Sequence, residues 1–391
     1  MKVVIVSNYF NHHQKPVSDE LYNGTKSEFR FIATEKMDEE RINLGWKMNS
    51  FPKYVIEVTD KASELESIDI INKADIVIWG DAPLRFLKKR LKMGKLTFRN
   101  TERIFKKGDS WKEIFPRKIK HYILNYRCKR GYLLCSSAYA AQDYKKIKCY
   151  ENRAFAWGYF PETKQYDIKH LMEEKKGEKI TILWVARLID WKHPELAVEV
   201  AHMLKNEGYD FILNMIGCGE LESKIKEMIK GYHLENTINV LGSMPQEKVR
   251  EYMEKSEIFL FTSDHNEGWG AVLNESMNSG CAVVANNEIG SVPYLIENGK
   301  NGLIFQNGDF NKLYSCLKLL IDDEKFREKL GINAYQTIQE TWNAKNAVHQ
   351  LFKLVDIING DKNFDNICWG PCAIDNGSIY EERVTCKEDK C

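Results

Sequence analysis

The sequence predicts an α/β protein made of two Rossmann-like, doubly wound parallel-sheet domains. Three observations carry that expectation. At 391 residues the chain is too long for one ordinary core. Its amino-terminal half alternates short apolar runs with polar or amphipathic stretches, and its carboxyl-terminal half repeats the rhythm. Strands alternating with helices build a parallel sheet covered on both faces, and two such series build two sheets.

In the first half KVVIVS (2–7), FRFIAT (29–34), YVIEVT (54–59), ADIVIWG (74–80) and GYLLCSS (131–137) read as buried strands. The second half offers ITILWVA (180–186), YDFILNMIG (209–217), TINVLG (237–242), EIFLFTS (257–263) and CAVVANN (281–287). Between them, PELAVEVAHMLKNEG (194–208) reads as a helix. Pro194 fits its first turn, where the missing N–H costs nothing, and Gly208 supplies the stop. The charged stretch PETKQYDIKHLMEEKKGEK reads as a linker, 161–179, between an amino-terminal domain 1–160 and a carboxyl-terminal domain 180–339. Ligands of such folds bind in crevices at the carboxyl ends of the strands.

Bulk composition is globular, with 43% hydrophobic and 29% charged residues and a formal net charge of +1. No apolar run approaches the roughly 18 residues that span a bilayer. The opening MKVVIVSNYF turns polar too soon for a secretory signal and reads as a first strand. Of ten cysteines, Cys135, Cys218, Cys281 and Cys316 sit in apolar segments, where a reduced thiol acts as a small hydrophobe. A cytoplasmic location fits that usage.

Charge is unevenly distributed. Between Arg85 and Gly131 lie seventeen Lys and Arg, among them Lys88, Lys89, Arg90, Lys118 and Lys120, against three acids, Glu102, Asp109 and Glu113. Phe86, Leu87, Leu91, Phe98, Trp111, Phe115, Ile119, Tyr122 and Ile123 are interleaved with them. The segment reads either as a peripheral contact for an anionic membrane surface or as a solvated pair of helices with ordinary core contacts. No nucleic-acid motif accompanies the charge, so nucleic acid is not expected as a partner.

The stretch after the first strand, SNYFNHHQKP, has no G-x-G-x-x-G, which argues against a nicotinamide or flavin dinucleotide there. A Walker-type phosphate loop is also missing from the sequence, and no cofactor is expected. The second half is more informative. Arg187 ends the strand ITILWVA, and Lys192 follows just before the helix beginning near Pro194, a setting that suits an anion. Gly217 and Gly219 end the next strand and would let a ligand approach the backbone. Further on, NEGWGAVLNESMNSG places Glu267 and Glu275 on either side of a Gly268-Trp269-Gly270 turn and the helix after it.

These stretches, in this order, resemble the nucleotide-sugar domain of the retaining family 4 of GT-B glycosyltransferases. ARLIDWK looks like that family's G-R-L-x-x-x-K turn, with Ala186 in place of glycine. MIGCGEL, NVLGSMP and NGKNGLIF look like its I-G-x-G, x-L-G-x-x-P and N-G-x-x-G-L-L-F segments. EGWGAVLNESMNSG looks like its diagnostic E-G-F-G-x-x-x-x-E-A-M-A-x-G stretch. The likeness runs over about 178–345. It implies two Rossmann-like domains facing each other across a cleft, and transfer of a hexose-type sugar from a nucleoside diphosphate donor, UDP being the commonest. It further implies a glycan or lipid-linked acceptor and work in bacterial surface polysaccharide assembly, peripherally at the inner face of the plasma membrane.

Carried over, Glu267 contacts the donor sugar and Glu275 the ribose diol, to which a carboxylate can accept two hydrogen bonds. Arg187, Lys192 and the amides of Gly268, Trp269, Gly270, Ala271 and Val272 surround the diphosphate; Met244, in NVLGSMP, lies toward the base. Charge growing on the leaving phosphate would meet preorganised donors. No D-x-D motif is present, so transfer without a metal is expected. In the first domain the acceptor falls to Asn11, His12 and His13, the histidines as candidate proton acceptors. Many relatives have a histidine after the fourth strand; LTFRNTER (96–103) has none, leaving Arg99 and Arg103 as contacts for an anionic acceptor. A catalytically degenerate sugar-nucleotide binder of the same fold is the alternative, and an epimerase or phosphorylase is another. ETWNAKNAVHQLFKLVDII resembles the fold's closing helix, 340–360, anchored by Trp342 and crossing back to the first domain. Residues 361–391 are a polar tail or small appended element whose Cys368, Cys372, Cys386 and Cys391 lack zinc spacing.

Overall fold

The computed structural model describes residues 1–39, 48, 50–106, 108, 110–360, 367 and 369–377, with the side chains of 120–127 outside that description. The chain divides into two compact units, Met1–Glu162 together with the chain from Asn343 onward, and Thr163–Trp342.

In the first unit the strands are β1 (Val3–Ser7), β2 (Phe29–Ala33), β3 (Val55–Glu57), β4 (Ile76–Trp79), β5 (Thr97–Thr101), β6 (Gly131–Cys135) and β7 (Ala154–Ala156). They form a parallel sheet in the order β3-β2-β1-β4-β5-β6-β7, with Val3 opposite Phe29 on one side and Ile76 on the other. Two of these strands differ from the sequence reading. TFRNT (97–101) turns polar after two residues, and AFA (154–156) is too short to register as a run; both pair through backbone groups.

The second unit holds β8 (Ile180–Val185), β9 (Phe211–Ile216), β10 (Ile238–Val240), β11 (Ile258–Phe261), β12 (Ala282–Asn286) and β13 (Leu303–Phe305), parallel in the order β10-β9-β8-β11-β12-β13. β13 lies in NGLIF, read from sequence as a loop. Ile182, Trp184, Leu213, Met215, Ile258, Leu260 and Val284 meet in the core on one face of this sheet. Each such side chain contributes about 1.5–3 kcal/mol through burial.

Both sheets reverse their strand order, at β1/β4 and at β8/β11. There the connections leave toward opposite faces and open a crevice at the strands' carboxyl ends. The loops after β1 and β4, and those after β8 and β11, carry most of the residues singled out in the sequence.

The expected linker is partly structured. Ile168–Lys175 is a helix belonging to the second unit, with Leu171 and Met172 buried. Its Lys175 ammonium is buried too, donating to the carbonyls of Met253 (2.7 Å) and Ser256 (2.6 Å), and burial lowers its pKa. Charge density in the sequence concealed an amphipathic turn.

The closing helix is Ala344–Asn359, packed on Lys15–Gly24 within the first unit. A Cβ on Gly24 would come within 2.9 Å of the Phe352 ring, so glycine permits this approach. Trp342 is not that helix's anchor: it belongs to the second unit, where its ring stacks on Tyr294 at 5.5 Å. Part of the tail forms a small appended element. Ile374 bridges Phe155 in antiparallel fashion, Cys372 N–H donates to Ala156 O (2.7 Å), and Asp375 N–H donates to Ala154 O (2.9 Å). The segment thereby covers the free edge of β7, a common protection against edge-to-edge pairing. Cys372 is fully buried; Cys368, Cys386 and Cys391 lie outside the described residues.

The basic segment separates into core and surface. Phe86, Leu87, Leu91 and Phe98 are buried. So is Arg90, which donates to the carbonyls of Ile71, Ala74, Asp75 and Leu96 and to Thr97 Oγ1 at 2.5–3.1 Å. Burial lowers its pKa to about 10. Only a planar five-donor fork can serve so many acceptors at once. Arg90→Lys should therefore lower stability by about 2–4 kcal/mol, since several buried carbonyls lose their donor. Urea unfolding measures this, and an unchanged midpoint would show that Arg90 does not hold those carbonyls.

Candidate active site

The residues following β8 and β11 come together at the reversal of the second sheet. Trp184, near the end of β8, donates its indole N–H to Thr262 Oγ1 (2.9 Å), and that hydroxyl donates to Lys192 O (2.6 Å). Asp264 N–H donates to Trp191 O at 3.0 Å. These bonds fix Ile189–His193 against the loop after β11. Lys192 then pairs with Glu267, both side chains about nine-tenths buried, and its ammonium lies 4.1 Å from the Trp191 ring centre. Arg187, half-buried, has its guanidinium 5.9 Å from the same ring centre. Trp191 thus neighbours both cations, a role its position in the sequence did not reveal.

Gly217 and Gly219 have a reason other than ligand approach. A Cβ on Gly217 (φ +142°) would lie 1.8 Å from Ala186 O, and one on Gly219 would lie 2.3 Å from Leu188 O. Glycine is needed here so that the Arg187 turn can lie across the end of β9. Leu188 N–H accordingly donates to Cys218 O (2.9 Å), and Gly217 N–H to Gly242 O (2.9 Å), which brings the loop of half-buried Met244 alongside. Cys218 is exposed, contrary to the reading of its segment as apolar; it sits past the strand end, where burial stops.

The turn before the helix Ala271–Asn278 is shaped by Gly270, which caps it in a left-handed conformation (φ +81°). A Cβ there would meet the Phe261 ring at 2.6 Å. Gly268 is buried. Trp269, whose amide was expected at the diphosphate, has its side chain turned into the core, 1% exposed, with its indole donating to Asn274 Oδ1 (2.8 Å). Only its backbone remains for the site. Ala271 and Val272 are half-buried at the helix start. Glu275, one turn on, accepts from Gln246 Nε2 (2.7 Å), and burial raises its pKa against the pull of Arg250. Gln246 was not foreseen.

Two further groups were missed. His193 adopts φ +49°, ψ +54°, a left-handed conformation uncommon outside glycine, and precedes the helix Pro194–Asn206. Its Nδ1 lies 2.9 Å from Glu195 Oε1 and its Nε2 lies 3.5 Å from Asp264 Oδ2. The hydrogen bond to Glu195 raises the imidazole pKa, and Asp264 adds to it. The sequence WKHPE does contain the clue, a non-glycine residue between lysine and a helix-starting proline.

In the first unit Asn11, His12 and His13 form the turn after β1. Asn11 is buried, its Oδ1 accepts from His13 N–H (3.0 Å), and the two imidazole rings are 3.9 Å apart. Arg99 is committed internally. It lies 4.5 Å from the Trp79 ring centre and donates to Gly80 O beyond β4, which leaves less of it for an acceptor than expected. Arg103 lies 4.9 Å from the ring of Tyr139. Nearby, Tyr159 OH donates to Glu102 Oε1 (2.7 Å) and Ser136 Oγ to Asn100 Oδ1 (2.8 Å). The strand ends of this sheet are therefore polar and hydrogen-bonded.

Two doubly wound parallel-sheet units, the second with cations and carboxylates gathered at its strand-order reversal, define the GT-B class. Residues 167–337, within the carboxyl-terminal unit, match the model of the family described as glycosyl transferases group 1. Among curated proteins, the amylovoran biosynthesis glycosyltransferase AmsK of Erwinia amylovora is 29% identical over 200 residues, 50% of this chain and 48% of that protein. The capsular polysaccharide biosynthesis glycosyltransferase CapM of Staphylococcus aureus is 26% identical over 43% of this chain and 44% of its own. The matched stretch spans about half the length of these relatives. Among solved structures, Anabaena Alr3699/HepE in complex with UDP gives a TM-score of 0.67 at 14% identity, covering 91% of this chain and 100% of that one. Sucrose-phosphate synthase from Thermosynechococcus elongatus gives 0.64 at 12%, covering 93% and 100%. At such identities the likeness is one of fold.

Lys192→Met would leave the Glu267 carboxylate buried without its ion-pair partner, at an expected cost of about 3–5 kcal/mol. Adding Glu267→Leu should recover most of it. A double-mutant cycle in urea reads the coupling, and a loss in the double variant equal to the sum of the two single losses would show that the pair carries little.

Proposed function

We propose that the chain is a retaining glycosyltransferase moving a hexose-type sugar from a nucleoside diphosphate donor, UDP by preference, to a glycan or lipid-linked acceptor. Bacterial surface polysaccharide synthesis is the proposed setting. The observation that carries this reading is the Lys192–Glu267 pair beside Arg187 and the Gly270-capped helix start. A diphosphate can take over the cations, releasing Glu267 to accept hydrogen bonds from sugar hydroxyls. Glu275, held on one oxygen by Gln246, retains another for a ribose hydroxyl. The names of the relatives support a glycosyltransferase of polysaccharide biosynthesis, and the UDP in the Anabaena structure supports this class of donor.

In the step proposed, the bond from the anomeric carbon to the terminal phosphate oxygen breaks. An acceptor hydroxyl attacks the same face and gives its proton to the departing phosphate. Arg187 and Lys192 stabilise the charge that grows there, work a divalent cation would otherwise do. His12, His13 and Asn11 are the proposed acceptor contacts in the first unit. Activity should survive chelation; loss on chelation with recovery on adding a cation would refute the metal-free reading.

Among the described residues no helix is long and apolar enough to cross a membrane. The helix Trp111–Arg127 nevertheless exposes Trp111 (73%), Phe115 (61%) and Ile119 (49%) at four-residue spacing, beside exposed Lys112 and Lys118. This face is proposed to lie on an anionic membrane surface. Vesicles of phosphatidylglycerol, but not of phosphatidylcholine, should bind the protein at low salt, and Trp111→Ser with Phe115→Ser should abolish it. Equal binding to both lipids, or none to either, would rule the surface out.

The donor class is tested by thermal shift with UDP, GDP, ADP and their sugar conjugates. At a hundredfold excess over its dissociation constant, the right nucleotide adds about 2.7 kcal/mol of stability. Glu275→Ala should weaken that shift. Silence across the panel would leave a catalytically degenerate protein of the same fold.

A further inference from the structure

Asp264 stands between two histidines. His193 Nε2 is 3.5 Å from its Oδ2 and His265 Nδ1 is 3.9 Å from the same oxygen. His193 meets Glu195 with its other ring nitrogen (2.9 Å), and His265 turns the same Nδ1 toward Glu288 (3.5 Å). Five ionisable groups therefore alternate in the order Glu195–His193–Asp264–His265–Glu288. They come from the start of the helix Pro194–Asn206, the loop after β11 and the turn after β12. Asp264 is buried, 9% exposed, and its Oδ1 is already occupied by the N–H and Nδ2 of Asn266.

Two members of this series adjoin the proposed donor site. His193 follows Lys192 directly, and Glu267 N–H donates to Asp264 O (3.0 Å). From this geometry we infer that His193, through Asp264, is a positioning residue that holds Lys192 and Glu267 in register and makes donor binding depend on its own protonation. The inference deepens the function proposed above and rests on that reading for its donor.

The groups facing His193 are known from each element packed around it. Glu195 comes from its own helix and Asp264 from the loop after β11; Lys224, from the helix Glu222–Gly231, acts on Glu195 and on Glu199 one turn further along. The nearest charges are thus acidic, and the imidazole pKa is raised. A raised value in the folded protein means that the tie is complete below the ordinary histidine range of about 6.5 and is lost as pH climbs through the raised value. Above it the neutral His193 ring no longer offsets the carboxylates of Glu195 and Asp264 that face it, and the loop bearing Glu267 loosens.

His193→Asn is the informative substitution, because asparagine tolerates the left-handed backbone that His193 adopts and does not titrate. The probe is UDP-glucose, whose phosphates have no proton to lose near neutrality, followed by calorimetry from pH 6 to pH 8.5. For the wild type the dissociation constant should rise several-fold across that range. In His193→Asn it should be raised at pH 6 and flat thereafter. A flat wild-type profile, or an unaltered slope in the variant, overturns the proposal. An arm without donor separates this from the donor reading: imidazole resonances followed against pH in the wild type and in Asp264→Asn. A lower His193 midpoint in that variant, together with a displaced Glu267 amide, supports the linkage even if no nucleotide binds. Unchanged resonances sink it whatever the calorimetry shows.

Discussion

A lysine and a glutamate 75 residues apart in sequence meet in a setting with little water, and the second unit is arranged so that they can. Withdrawing two charges from solvent is costly unless their partners are fixed. The fixing comes from neutral groups: the Trp184 indole, the Thr262 hydroxyl and the backbone of Trp191 and Asp264. None of these would attract notice as chemistry. They determine where Lys192 and Glu267 stand, because the strand-order reversal at β8/β11 leaves two loops side by side with no helix between them.

The glycines serve the same end from the opposite direction. Gly217 and Gly219 yield their side-chain space to the carbonyls of Ala186 and Leu188, and Gly270 yields its own to Phe261. Conformational freedom and closeness, rather than contact with a ligand, account for them. A resemblance between motifs therefore mixes two kinds of residue, those that meet a substrate and those that make room for the loops that do.

Much of the fold could be read from the sequence because fully buried parallel strands are nearly continuous apolar runs, as in KVVIVS and EIFLFTS. The strands that escaped, at 97–101, 154–156 and 303–305, are short or turn polar at the end that faces the site. The helix Ile168–Lys175 escaped because its buried lysine reads as surface charge. Arg187, Lys192, Glu267 and Glu275 were legible as a set through the resemblance of their motifs, taken in order, to a known family. His193, Asp264 and Gln246 were not, since each matters through a partner remote in sequence or across a turn. In the first unit, Arg99 shows the same limit: its attachment to Trp79 and Gly80 depends on the neighbouring strand.

The first unit is finished by residues that come last. The helix Ala344–Asn359 lies on Lys15–Gly24, and residues 372–375 line the edge of β7. During synthesis the opening 162 residues emerge with that flank bare and must wait while the whole of Thr163–Trp342 is made. A domain interrupted in this way is a natural client for chaperones on the ribosome, since its apolar surface stays uncovered for the time translation takes. The second unit, contiguous in sequence, can fold as it appears.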